Sequence, residues 1–185
     1  MRTHPRLSNR PLVTGILSAL LFLALMATPP ARGTDTPSHP GTPPRAVAAK
    51  PVLSITTPAG IRQYTLAELE AVGLTKVTTK TFWPADDGSY QGPLLADVLK
   101  LAGLDNTAAI RVSARDGFSQ VIPRSDWTRW PLLLATRRDS HPLSARDKGP
   151  LRIIYPRDQD PALEDTIYRL RWVWLVRAIE PAELR

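Results

Sequence analysis

The chain has 185 residues, 43% hydrophobic and 22% charged, which is an ordinary composition for a globular protein with one domain. It contains no cysteine, so disulfides, thiolate metal sites and cysteine nucleophiles are excluded. The formal net charge is +7, but no long basic stripe alternates with aromatic side chains, which argues against nucleic-acid binding.

Residues 1–27 have the pattern of a secretory signal peptide. Arg2, Arg6 and Arg10 supply a positive start, and residues 12–27 form an apolar segment shorter than the roughly 20 residues that cross a bilayer. No Arg-Arg pair precedes this segment, which argues against twin-arginine export. We therefore expect a Sec-type signal, a periplasmic or secreted protein, and no stable membrane span after cleavage.

A linker and one folded domain follow the signal. Residues 28–51 are rich in Pro, Thr, Gly and Ala and lack apolar periodicity, so they are predicted to form a disordered linker. The folded domain is expected over residues 52–185. Its strands are predicted from short apolar or alternating runs over residues 52–56, 74–81, 109–114, 118–122, 151–155 and 172–179.

Helices are predicted from their end signals. Thr65 and Glu68 have the spacing of a capping box, so a short helix should begin there and end at Gly73. A second helix should run over residues 93–102 with Pro93 as its first residue. One or two helical turns are predicted within residues 161–171, and a loop is predicted over residues 82–92.

The run Leu151–Tyr155 lies between two prolines and is apolar except for Arg152. This pattern indicates a central strand that is buried on both faces. A charge in such a strand is costly unless it is paired or holds an anion. Because strands and helices do not alternate regularly, the predicted class is α+β, with a β-rich mixed sheet or barrel-like core and a few short helices.

No catalytic residue and no metal ligand can be assigned from motifs. No serine lies in a G-x-S-x-G elbow, and neither of the usual nucleotide-binding glycine loops occurs. His141 is the one histidine in the expected domain, so a histidine-based zinc site is excluded there. The five tryptophans of the chain instead indicate a core or pocket with aromatic walls.

A basic group lies around the start of the 151–155 strand. It consists of Arg137, Arg138, Arg146, Lys148 and Arg152. Arginine suits phosphate and carboxylate, so these side chains could converge on one anion. The alternative, which the sequence slightly favours, is that they pair with Asp139, Asp147 and the acids of residues 158–165. The sequence leaves both interpretations open.

Five segments occur in an order that resembles a known family. They are residues 90–99 (YQGPLLADVL), 114–118 (ARDGF), 133–135 (LLA), 149–156 (GPLRIIYP) and 171–173 (RWV). Together they resemble the oxidoreductase molybdopterin-binding domain, which has the sulfite-oxidase fold, and the small exported members of that family in particular. The resemblance implies an α+β, β-rich fold that can hold a pterin with a phosphate tail.

The same resemblance implies where a metal ligand would stand. In that family a cysteine binds the metal between the strand and the helix that match residues 74–81 and 93–102, and no cysteine stands there in this chain. The resemblance places Arg152 at the family's strand arginine, Arg115 before its Asp-Gly turn, and Tyr90 beside the metal position. With Arg146 and Lys148 from the basic group, these residues are the candidate ligand-binding set.

Three functions remain open. The preferred hypothesis is an exported domain without a molybdenum centre or other cofactor, which binds a small anion or a protein partner as an accessory or sensory module. An alternative is a molybdopterin-dependent oxidoreductase with a non-cysteine metal ligand, which would be Ser89, Asp86, Asp87 or solvent, so whether the protein is an enzyme stays open. A third is a structural subunit whose tryptophans form a protein interface.

Overall fold

The computed structural model describes residues 49–184. The predicted signal peptide and residues 28–48 of the predicted linker lie outside the described residues, so both remain predictions. The strands of the described part are β1 Leu53–Thr57, β2 Gly60–Tyr64, β3 Thr75–Thr79, β4 Gly88–Gly92, β5 Ala109–Ala114, β6 Ser119–Pro123, β7 Leu133–Ala135, β8 Arg137–Arg138, β9 His141–Pro142, β10 Arg152–Ile154 and β11 Val176–Ala182. The helices are α1 Leu66–Val72, α2 Leu95–Ala102, α3 Arg124–Arg129 and α4 Thr166–Arg171, with short 3₁₀ turns at Pro84–Asp86, Arg157–Gln159 and Pro161–Glu164.

The strands form three sheets. The largest has the order β2-β1-β11-β5-β6, in which β1 and β11 are parallel and the other neighbours antiparallel. A second sheet has the order β3-β4-β8-β9, and β10 pairs with β7 in a third. The predicted α+β class with mixed β-structure is therefore confirmed, while none of the three sheets closes into a barrel.

The five-stranded sheet buries one face, as the alternating sequence predicts. Ile110 and Val112 of β5 are buried, whereas Arg111 is exposed. The β5–β6 hairpin forms where residues 109–122 predicted it, with Ile110 opposite Ile122. These apolar side chains join one core with α2, β7 and β10.

The helix ends confirm two of the predicted signals. Thr65 accepts a hydrogen bond from the backbone N–H of Glu68, whose side chain accepts from the N–H of Thr65, which completes the capping box. The second helix begins at Leu95, so the prediction that Pro93 is its first residue is wrong. Pro93 instead uses its carbonyl to accept the N–H of Leu134, which ties this segment to β7.

The loop predicted over residues 82–92 contains the strand β4, and that prediction is wrong over Gly88–Gly92. This segment has few β-formers, but β3 pairs with one edge of it and β8 with the other. Gly92 permits a close approach to β7, because a Cβ there would collide with the backbone of Leu134. Tertiary pairing therefore determines this strand, and local propensity does not.

The strand predicted at 151–155 is buried as expected, since every residue from Leu151 to Pro156 is buried. Its predicted place at the centre of a sheet is wrong, because β10 pairs with β7 alone. Its other edge contacts an irregular segment, in which the carbonyl of Val173 accepts the N–H of Ile153.

The last strand starts later than predicted. Leu175 has a φ of 51°, a left-handed conformation that interrupts an extended chain, and β11 begins at Val176. Within residues 161–171 the predicted helical turns are present as a 3₁₀ turn and α4. Neither β2 nor α3 was expected from the sequence. No helix among residues 49–184 has the length and apolar character needed to cross a membrane.

Candidate functional site

Asp86 lies at the centre of a group of charges in which Arg152 is buried and two further cations are partly buried. It ends the 3₁₀ turn Pro84–Asp86, where its N–H donates to the carbonyl of Trp83 over 2.7 Å. Two residues further on, β4 begins and carries Tyr90, which is fully buried. The Tyr90 hydroxyl donates to the Asp86 backbone carbonyl over 2.5 Å, so the turn and the strand hold each other in place.

Three cations surround the Asp86 carboxylate. Arg152 of β10 donates to Oδ2 over 3.2 Å, and Lys148 donates to the same oxygen. Arg138 of β8 lies 3.8 Å from Oδ1 and also donates to the backbone carbonyls of Ala85 and Asp87. Asp86, Tyr90, Arg138, Lys148 and Arg152 are called the Asp86 cluster below.

Burial determines the energetics of this cluster. The Arg152 side chain is only 1% exposed, and its Nη1 lies 3.3 Å from the Tyr90 hydroxyl. Such a cation is tolerated only with a partner of opposite charge. Burial alone would raise the pKa of Asp86, but the hydrogen bond from Lys148 and the charge of Arg152 outweigh it, so the pKa lies below its ordinary value. Burial raises the pKa of Tyr90 despite the nearby Arg152.

Lys148 connects the cluster to two tryptophans. Its φ is 63°, an uncommon left-handed conformation, and its carbonyl accepts the N–H of Leu175, which is also left-handed. The Lys148 ammonium lies 4.0 Å from the centre of the Trp174 ring and 5.6 Å from that of Trp83. The two rings meet edge to face with centroids 4.7 Å apart. The ammonium therefore has both a carboxylate and aromatic faces as neighbours.

An aromatic cavity of about 280 Å³ lies against these tryptophans. Its lining consists of Trp83, Asp116, Phe118, Arg169, Leu170, Trp172 and Trp174. The Arg169 guanidinium lies 5.3 Å from the centre of the Trp83 ring. The indole nitrogens of Trp172 and Trp174 are buried and have no hydrogen-bond acceptor among the described residues. A buried N–H group without an acceptor is unusual and costs stability.

The structure brings together three of the five residues in the candidate ligand-binding set. Tyr90, Lys148 and Arg152 meet in the Asp86 cluster. Arg115 lines a different groove, and Arg146 is exposed and forms no ion pair among residues 49–184. The five side chains therefore do not surround a single position, and their binding of a ligand stays a prediction.

The members of the basic group do not all meet at one position, because Arg138, Lys148 and Arg152 contact Asp86, whereas Arg137 pairs with Glu70. Arg137 pairs with Glu70 over 2.8 Å, and the guanidinium lowers the pKa of that carboxyl. Arg138 contacts Asp139, which was among the expected partners.

Sequence reasoning missed the central partner, Asp86, because Asp-Asp-Gly is the usual signature of a turn. A charged residue inside the apolar 151–155 run was the only signal that a buried partner existed.

Residues 60–159 match the family model of the oxidoreductase molybdopterin binding domain. This match covers more than half of the chain, and the protein belongs to that family. The resemblance found in the sequence is thereby confirmed. A search of curated proteins finds no significant match to this chain.

The residues present do not fit a metal centre held through a protein thiolate. The segment where the family's cysteine is expected carries Phe82, Trp83 and Asp86, and the chain has no cysteine. Asp86 is bound to two cations, and Asp87 accepts the N–H of Thr81 over 2.6 Å. No group of three potential metal-ligating side chains occurs within the described residues.

Proposed function

We propose that this domain is a binding module of the molybdopterin-binding family, which works without a molybdenum centre and takes a small anion with an apolar body. The observation that carries the proposal is the aromatic cavity, which three tryptophans and Arg169 line. One of those tryptophans, Trp83, lies in the segment where the family has its cysteine. Residues 1–27 support the further proposal that the module acts in the periplasm or outside the cell.

The cavity has the properties of a small-ligand site. Its volume of about 280 Å³ is close to the lower range for such sites, which are mostly apolar with a few polar groups. Arg169 is exposed and forms no ion pair among residues 49–184, so its guanidinium is available to an anion. Asp116 also lines the cavity, and its carboxylate accepts the N–H of Phe118. We therefore expect the anionic group beside Arg169 and the apolar body against the rings.

The Asp86 cluster supports this cavity indirectly. Lys148 and Arg152 already donate to Asp86, so an anion that bound them would first have to displace a carboxylate. Both cations also lie over Trp174, at 4.0 Å and 5.8 Å from its ring centre. Their proposed role is to hold the tryptophan wall in position, while Arg169 meets the ligand.

Analysis of the native protein tests the absence of a molybdenum centre. The full chain would be purified from its own compartment, its molybdenum content measured, and the denatured extract examined for pterin fluorescence. We expect neither molybdenum nor pterin. Stoichiometric molybdenum would contradict the proposal, and pterin in the extract would favour the oxidoreductase function instead.

A dye that resembles the expected ligand tests the cavity itself. Anilinonaphthalene sulfonate combines an apolar aromatic body with one anionic group, and its fluorescence reports binding. We expect Arg169→Gln to raise its Kd about tenfold, because one charge-assisted contact contributes about 1.5 kcal/mol. Arg124→Gln is the matched control, since it removes the same charge at an exposed site outside the cavity lining. If both variants bound the dye equally weakly, the change in net charge alone would explain the loss of affinity, and the proposal would be contradicted.

A second function has one specific observation in its favour. The hydroxyl of Ser89 is buried without a hydrogen-bond partner among the described residues, and Ser89 directly precedes Tyr90 on β4. Such a group is a candidate oxygen ligand for a molybdopterin-bound metal. Addition of molybdopterin to the purified full chain would distinguish the two functions, because retention that Ser89→Ala abolishes is expected only for the oxidoreductase.

A further inference from the structure

A second groove, separate from the aromatic cavity, lies on the outer face of the five-stranded sheet. Ser54 of β1 pairs with Gln63 of β2 on one side and with Ala178 of β11 on the other. These short side chains lie in one row across the centre of the sheet and form the floor of a groove of about 380 Å³. Lys50, Arg115 and Arg177 complete its lining together with Pro51 and Val52. It is called the Arg177 groove below.

A β-bulge places Arg177 in this groove. Val176 pairs with Ala114, and Ala178 pairs with Ser113, so Arg177 is an extra residue with no partner on β5. In a regular strand, Arg177 and Ala178 would point to opposite faces of the sheet. The bulge relaxes this alternation, and both residues line the groove. Bulges that redirect a side chain in this way are frequent next to binding sites.

The groove collects positive charge, and no acidic side chain is among the residues that line it. Lys50, Arg115 and Arg177 line it, and none of the three forms an ion pair among residues 49–184. Elsewhere on this sheet, by contrast, Arg111 lies 3.5 Å from Glu180. The sequence from residue 36 to residue 67 contains no Asp or Glu, so the chain that leads into Lys50 supplies no acid either. Like charges that share a groove repel one another unless an anion joins them.

We propose that the Arg177 groove binds a phosphate group. Two guanidinium groups and one ammonium attract a phosphate dianion and supply donors for its acceptor oxygens. The Ser54 hydroxyl and the Gln63 amide add neutral donors on the floor. The lining contains no aromatic side chain on which a base could stack, so the groove is suited to the phosphate and not to a nucleic-acid strand.

Titration of the full chain with inorganic phosphate at low ionic strength tests the proposal, with heat of binding and backbone amide shifts as the readouts. Saturable shifts should appear at Ser54 and Ala178. Arg115→Gln and Arg177→Gln should each raise the Kd about tenfold, because each removes one charge-assisted contact. Arg124→Gln, which removes an exposed charge outside the groove, should leave the Kd unchanged within about twofold. Thermal unfolding of every variant would confirm that the fold is retained.

A second experiment distinguishes a soluble phosphate ligand from a lipid headgroup. It measures binding to vesicles of neutral lipid with and without phosphatidic acid. Binding of inorganic phosphate identifies a soluble ligand. Binding to the phosphatidic acid vesicles alone, lost in Arg177→Gln but kept in Arg124→Gln, identifies a lipid headgroup. Ala178→Glu places a carboxylate on the floor of the groove and should abolish the binding of both inorganic phosphate and the vesicles. The proposal is overturned if neither probe binds, or if all three arginine variants weaken binding equally.

Discussion

Arg152 donates a hydrogen bond from Nη2 to Asp86 Oδ2 over 3.2 Å and thereby joins two segments that are 66 residues apart. Removal of the carboxylate would leave a cation that is 1% exposed without its charge partner. We expect Asp86→Asn to lower the free energy of unfolding by about 3–5 kcal/mol, as for other broken buried ion pairs. Urea unfolding followed by Trp fluorescence measures this loss.

The matched control for that variant is Glu183→Gln, which neutralises an exposed acid with no ion pair among residues 49–184. Its unfolding free energy should stay within about 0.5 kcal/mol of the parent protein. A loss below about 1 kcal/mol in Asp86→Asn would show that solvent reaches the cluster and that Asp86 does not organise it.

The same carboxylate makes stability depend on acid pH. The pKa of Asp86 is lower in the folded state than its ordinary value of about 3.9, so the unfolded chain binds this proton first as the pH falls. The stabilisation is therefore complete above about pH 5 and is lost progressively below about pH 4. Urea unfolding between pH 6 and pH 2.5 should show a smaller acid slope in Asp86→Asn than in the parent. Equal slopes would mean that other carboxyls carry the acid sensitivity.

The capping box of α1 offers a test on a feature that the sequence predicts. Thr65→Ala removes the acceptor for the N–H of Glu68 and should cost about 1 kcal/mol of unfolding free energy. Glu68→Ala removes the reciprocal bond to the N–H of Thr65. Because each side chain holds the other, the double variant should lose less than the sum of the two single losses. Additive losses in the urea midpoints would show that the two bonds act independently.

The features that the sequence predicts correctly are local. The Thr65–Glu68 box, the end of α2 at residue 102, where Gly103 is left-handed, and the β5–β6 hairpin each depend on residues within a few positions of one another. Neighbouring residues alone indicate the physical causes of these features. The causes are side-chain capping, a glycine in the left-handed conformation at a helix end, and turn geometry.

The features that the sequence does not predict depend on distant partners. The strand β4 forms between β3 and β8 although its residues Gly88–Gly92 favour a loop. Asp86 has the local pattern of a turn, and its role follows from Lys148 and Arg152, which lie 62 and 66 residues further along the chain. The separation of Arg115 from Arg152 likewise follows from which sheet each strand joins.

A buried tyrosine gives a further test. The Tyr155 hydroxyl donates to Asp126 Oδ2 over 2.7 Å, and Arg171 donates to the same oxygen over 2.8 Å. Tyr155→Phe removes one of these two donors and should cost about 1–3 kcal/mol of unfolding free energy. Tyr168→Phe is the matched control, because the Tyr168 hydroxyl has no hydrogen bond among the described residues, and its effect should stay within about 0.5 kcal/mol.

Tyr155 also makes stability depend on alkaline pH. Burial, and then the negative charge of Asp126, raise the pKa of Tyr155 well above its ordinary value of about 10. Above about pH 10 the unfolded chain therefore loses this proton while the folded protein keeps it, and the group lowers stability by about 1.4 kcal/mol per pH unit. Below pH 10 both states hold the proton, and the group contributes no pH dependence.

Urea unfolding from pH 9 to pH 11.5 should show a shallower decline in the unfolding free energy of Tyr155→Phe than in that of Tyr168→Phe. Parallel declines would mean that water reaches the Tyr155 hydroxyl and that the Asp126 contact does not hold its proton.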